Sequence, residues 1–65
     1  MPGVESLDKC YVRKMGLDYY VDLHVVVDRD MPVWRGHEIA HQVKDQIRAA
    51  RGEIADVLIH IEPAP

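Results

Sequence analysis

The chain has a single cysteine, Cys10, so it cannot close an internal disulfide, and that scarcity fits a reducing compartment. No apolar run approaches the about 20 residues needed to cross a bilayer, which argues against direct membrane insertion. Met1-Pro2-Gly3 does not open a signal peptide. An excess of positive charge is also missing. The net charge is -3, and Arg13, Lys14, Lys44, Arg48 and Arg51 are scattered among acids, so there is no electrostatic footprint for a phosphate backbone and nucleic acid is excluded as a partner. There are no internal repeats, low-complexity stretches or composition shifts to mark a second domain. What remains is a soluble, cytosolic chain of globular composition. Its 48% hydrophobic and 29% charged residues are too apolar a mixture for a disordered tail. At 65 residues it buries only a modest share of its surface, so a second subunit or a bound metal would help it fold, and a homo-oligomer is expected.

Residues 1–7 contain Pro2 and Gly3 and show no period, which marks them as a flexible lead-in to a single domain over 8–63. Lys9 to Met15 has the aromatic and β-branched content of a strand and ends at Gly16. Tyr19 to Asp28 is the clearest strand: Tyr19, Val21, Leu23, Val25 and Val27 alternate with Tyr20, Asp22, His24, Val26 and Asp28. The short connection Gly16-Leu17-Asp18 predicts an antiparallel hairpin. Asp30 is placed to cap a helix, with Pro32 in its first turn. From Val33 to about Arg51, Gly36, Ile39, Ala40, Val43, Ile47 and Ala50 recur at helical spacing as one packing stripe, and Gly52 is placed to stop it. Asp56 to Glu62 alternates again before Pro63. The order strand, strand, helix, strand predicts an α+β domain: a three-stranded sheet with one main helix on one face, the other face left to solvent, metal or a partner.

Histidine is the commonest metal ligand, and the chain carries His24, His37, His41 and His60. His24 lies on the outward side of its strand, and His60 and Glu62 share the corresponding side of the last one. If those strands are neighbours, with Cβ atoms roughly 5 Å apart, imidazole and carboxylate converge on one ion. Zinc accepts that set. Asp8, Cys10 and Asp22 are further candidates for a remaining ligand. The plain alternative is a polar outer face, since such residues are common on solvated strands, and Cys10 would then be a small buried hydrophobe.

His37 and His41, at i and i+4 of the helix, project from one side and could pinch an ion. They also complete H-E-x-x-H, the pattern of a zinc hydrolase in which the glutamate activates water. Such an enzyme needs a third ligand and a walled cleft, for which one helix has little material, so no enzymatic activity is expected. The alternative places both histidines at exposed, sheet-edge or interface positions, with His37 able to reach the sheet site from the same or a neighbouring subunit. Trp34, off the stripe, reads as an interface anchor or as cover for the core edge. The Arg13-Lys14 and Arg48-Arg51 pairs read as solvated charge.

Taken in order, Val12-Arg13-Lys14-Met15-Gly16, Tyr19 to Val25, Gly36 to His41 and Asp56 to Pro63 resemble the cytoplasmic C-terminal domain of cation diffusion facilitator transporters. The resemblance runs from about Leu7 to Pro63. It implies a ferredoxin-like, metallochaperone-like fold of order αββαβ, here a truncated ββαβ without the first helix and without the transmembrane part. It further implies a homodimer that binds zinc or another divalent transition-metal cation and regulates efflux by a transmembrane domain, at the cytoplasmic face of the membrane or as a free-standing relative. Position by position, it implies His24, His37, His60 and Glu62 as ligands. Where many members place a histidine ahead of the hairpin, this chain has Asp8-Lys9-Cys10, so the last ligand would be Asp8, Cys10, water or nothing. Competing functions are a metal-independent dimerisation module and, more remotely, a hydrolase built on His37, Glu38 and His41. Imidazoles bind metal only when neutral, so affinity should fall below about pH 6.5.

Overall fold

A computed structural model describes residues 1–65 as four elements: strands β1 (Ser6–Met15) and β2 (Asp18–Val27), helix α1 (Val33–Ala50) and strand β3 (Ile54–Pro63). The sheet order is β1-β2-β3, with β1 antiparallel and β3 parallel to the central β2. Helix α1 makes the crossover that a parallel β2–β3 pair requires. This is the α+β arrangement expected, ββαβ with a mixed sheet.

β2 supplies four of the seven core side chains. Its alternation buries Val21, Leu23, Val25 and Val27 on one face, where Ile39 and Val43 of α1 and Val57 of β3 complete a single apolar cluster. Gly36 lets the helix come close to β3, since a Cβ there would lie 3.4 Å from Ile61 Cγ2. Only eight of the 65 residues are buried, which fits a domain that gains stability from a partner or ligand. The helix packs over β2 and β3 and leaves β1 uncovered: every residue of β1 is exposed.

Several boundaries differ from the expectations. β1 begins at Ser6 because Ser6 and Leu7 pair with Val26 and Val25, inside the stretch read as a lead-in. That stretch also docks. Glu5 N–H donates to Val26 O at 2.9 Å, Val4 packs on the core, and Gly3, with φ +90°, lies so near Ile39 that a Cβ would approach its Cδ1 to 2.6 Å. At the hairpin, Gly16 has φ +64°, the left-handed backbone that a tight two-residue turn demands. Asp30 does not cap α1. Its N–H instead donates to Asp28 Oδ1 at 2.7 Å, a local turn that competes with capping, and the N-cap position falls to Pro32 with no side-chain cap. Nor does Gly52 stop the helix in a left-handed conformation, since Gly3 and Gly16 are the glycines with positive φ. The chain leaves the helix at Arg51, which turns extended while its N–H still donates to Ile47 O. Trp34 is 68% exposed and does not cover the core edge.

Candidate metal centre

Parallel pairing brings His24 of β2 directly beside His60 of β3. Both point away from the helix, because their neighbours Leu23, Val25, Ile59 and Ile61 face it. The two imidazoles stack with centroids 4.3 Å apart and planes 15° from parallel. Glu62 follows His60 by two residues and therefore returns to the same face. There, His24 Nδ1–H donates to Glu62 Oε1 at 2.5 Å. Tyr11 of β1 presents an edge-on ring to His24, with centroids 6.4 Å apart.

The third side of this cluster comes from an irregularity. Leu7 pairs with Val25 and Cys10 with Leu23, so Asp8 and Lys9 together stand opposite His24 in a β-bulge. Bulges re-aim side chains, and this one turns Asp8 toward the outer face. Ligand-competent atoms of Asp8, His24 and Glu62 all lie within 4.8 Å of one another. Ligand atoms around one tetrahedral zinc stand about 3.4 Å apart, so side-chain rotation alone would gather these three. His24 and Glu62 are half-buried while Asp8 is exposed, which leaves the site open to solvent on the Asp8 side. Glu62 is held below the ordinary carboxylate range, first by the hydrogen bond from His24, with burial opposing and then contacts to Asp8, the charge of His24 and that of Lys9 acting in the same downward direction. It is therefore an anion poised to accept a cation.

The other candidates lie elsewhere. His60 is stacked on His24 but outside the three-donor group. Asp22 is on the same face farther along β2, 3.5 Å from Arg13 Nη2. Cys10 sits in register with Leu23, on the opposite face, and is exposed rather than a buried hydrophobe because no helix covers β1. His37 and His41 are on α1, which packs against the face turned away from His24. Within one chain the sheet therefore separates His37 from the cluster, and reaching that cluster requires a second subunit. Glu38, the would-be general base of H-E-x-x-H, is instead bonded by Arg35 Nη1 at 2.5 Å. The place of Asp8 was not readable from the pattern of β1, because Cys10-Tyr11-Val12 and Arg13-Lys14 break any alternation that an inserted residue could interrupt.

No helix of the structure is long and apolar enough to cross a membrane. Residues 1–64 match the family described as "Cation efflux protein, cytoplasmic domain". Metal tolerance protein C1 of Arabidopsis thaliana is 37% identical over 62 residues, 95% of this chain and 13% of that protein. The cation-efflux pump FieF of Serratia proteamaculans is 36% identical over 62 residues, again 95% of this chain and 20% of that protein. The chain thus spans well under a quarter of the length of these curated relatives. Among solved structures, the metal-bound C-terminal domain of the CzcD transporter from Thermotoga maritima superposes with a TM-score of 0.89 at 31% identity, covering 95% of this chain and 72% of that one. The chain belongs to the family of cytoplasmic domains of cation efflux proteins, a transporter family and not an enzyme family.

Proposed function

We propose that this domain is a dimeric regulatory metal sensor at the cytoplasmic face of a cation efflux transporter, or a free-standing relative of one. The observation that carries the reading is the convergence of Asp8, His24 and Glu62 on the uncovered face of the sheet. One imidazole and two carboxylates suit a divalent transition-metal cation such as zinc, with manganese or ferrous iron accommodated by the oxygen-rich set. Bound there, the metal supplies positive charge that both carboxylates share. His60, adjacent in register, is available to join by rotating off His24, and His37 of the partner subunit is the donor a two-fold dimer would bring. Because a closed dimer offers more ligands than an open one, the cation binds it more tightly and shifts the population toward it.

Support for the dimer comes from the family, from the small core and from the uncovered apolar residues. Support for metal comes from the donor set and from the metal-bound state of the CzcD domain of Thermotoga maritima. Zinc and manganese titrations by calorimetry, with small-angle scattering to follow compaction, test the reading. The expected result is saturable binding that tightens the dimer and is lost in His24→Ala. No binding below roughly millimolar metal would overturn it.

A second reading is supported by the same residues. His24 and Glu62 already satisfy each other by a hydrogen bond, and His60 stacks on top, so the cluster needs no ion, as in a metal-independent dimerisation module whose histidines are vestigial. In that case His24→Ala and His60→Ala would leave assembly and any attached transport unchanged.

A further inference from the structure

Within one chain His37 and His41 stand apart from the sheet site, and their geometry is that of a chelate. They sit one turn apart on α1, exposed, with ring centroids 4.5 Å apart and planes at 69°. The two Nε2 atoms approach to 3.1 Å. Two nitrogens bound cis to one metal at about 2.1 Å stand about 3.0 Å apart in square or octahedral geometry and about 3.4 Å apart in tetrahedral geometry. The observed separation falls between these limits. Their only hydrogen bond is to each other; among the charged neighbours Glu38 is engaged with Arg35 and Lys44 with Asp56 at 3.0 Å, while Asp45, one turn beyond His41, makes no side-chain hydrogen bond or ion pair. A cation would therefore replace only the one hydrogen bond between the two rings, whose Nε2 atoms already converge.

We infer that His37 and His41 form a second cation site, a bis-imidazole chelate on the exposed flank of α1 beside β3 that takes copper(II), nickel(II) or zinc. Nitrogen donors without carboxylates select the later first-row ions, so manganese, magnesium and calcium are poor occupants. The sheet site, with two carboxylates around one imidazole, has the opposite balance. The domain would thus carry two sites of different hardness on opposite faces. With only two protein ligands, the helix site keeps its remaining positions for water and exchanges its ion readily. The inference does not rest on the sheet-site reading, because the two clusters share no residue within one chain.

The test uses the full chain with the sheet site removed by Asp8→Asn, His24→Ala and Glu62→Gln together, so that His37 has no alternative employment in a dimer. Circular dichroism confirms the fold of each variant first. Titrated with nickel(II) chloride by calorimetry and with copper(II) chloride by electron paramagnetic resonance, this variant is expected to bind one equivalent, with copper showing nitrogen ligation. Adding His41→Ala should weaken that binding by about tenfold or more, because the chelate's second, high-effective-concentration ligand is gone. Moving the second imidazole to i+5, by His41→Ala with Gln42→His, should not restore it, since i+5 lies about 140° around the helix from i. Unchanged affinity in His41→Ala, or full restoration by the displaced histidine, would overturn the site.

Discussion

His24 and Glu62 are 38 residues apart in the chain, yet the imidazole Nδ1–H of one is 2.5 Å from the carboxylate of the other, across the parallel β2–β3 pair. Parallel pairing makes this meeting possible. The crossover through α1 returns the chain beside β2 in the same direction, so the outward residues of both strands stay in step. A metal bound here would replace one hydrogen bond with ligation by both partners. At a free zinc concentration a hundredfold above the Kd, the folded state should gain about 2.7 kcal/mol, read as a rise in thermal midpoint. His24→Ala and Glu62→Gln should each abolish that rise while leaving the metal-free protein folded, because both residues are on the uncovered face.

Asp8 and Cys10 distinguish the bulged register from a regular one. They lie only two residues apart, but the bulge leaves Asp8 with His24 and sends Cys10 to the face of Leu23. Asp8→Ala should therefore weaken zinc or manganese binding by about tenfold, the scale of one lost ligand, while Cys10→Ala leaves it unchanged. Calorimetric titration of the two variants decides the point. A loss on Cys10→Ala would mean that β1 pairs differently.

The elements that a reader of the sequence can place are those whose pattern is local. The alternation of Val21, Leu23, Val25 and Val27 is a two-residue period wherever β2 ends up, and the Ile39 and Val43 spacing belongs to a helix with one buried stripe. What escapes is decided by partners. Whether α1 covers β1 depends on the crossover geometry, so nothing in Val12 or Leu7 announces that these apolar residues stay exposed. Asp28 and Asp30 are equally plausible caps by residue type, and a turn between them took precedence. That His24, His60 and Glu62 share one outer face followed from period and strand adjacency, whereas the approach of Asp8 to His24 and Glu62 needed the bulge. The seating of His37 behind the sheet needed the sidedness of the helix.

Ile39 is the pivot of the small core. It is fully buried, meets the β2 valines and is approached by Gly3 from the start of the chain. Ile39→Ala should cost about 2–5 kcal/mol, the range for removing a buried isoleucine with incomplete collapse of the cavity. That is a large part of what a domain this small can have. Val12→Ala, on the exposed β1, should change stability by less than about 0.5 kcal/mol. Urea denaturation of the two variants provides the comparison. Equal effects would mean that β1 is covered by a second subunit under the conditions used.

Lys44 and Asp56 tie α1 to the start of β3 at 3.0 Å. The hydrogen bond from the Lys44 ammonium holds the Asp56 carboxyl below its ordinary range, helped by the Val57 backbone N–H and the charges of Lys44 and Arg48. A carboxylate with a depressed folded-state pKa binds fewer protons folded than unfolded. Its stabilising contribution is therefore complete above the unfolded value of about 3.9 and is lost as pH falls through the lower folded value. The stability difference between the parent chain and Asp56→Asn should accordingly stay constant from about pH 7 to pH 5 and shrink below about pH 4. The pair is exposed, so the effect should also diminish with added salt. Denaturant midpoints measured across that pH range at low and high salt test both dependences, and a difference that grew on acidification would reverse the sign of the linkage and exclude the pair as its source.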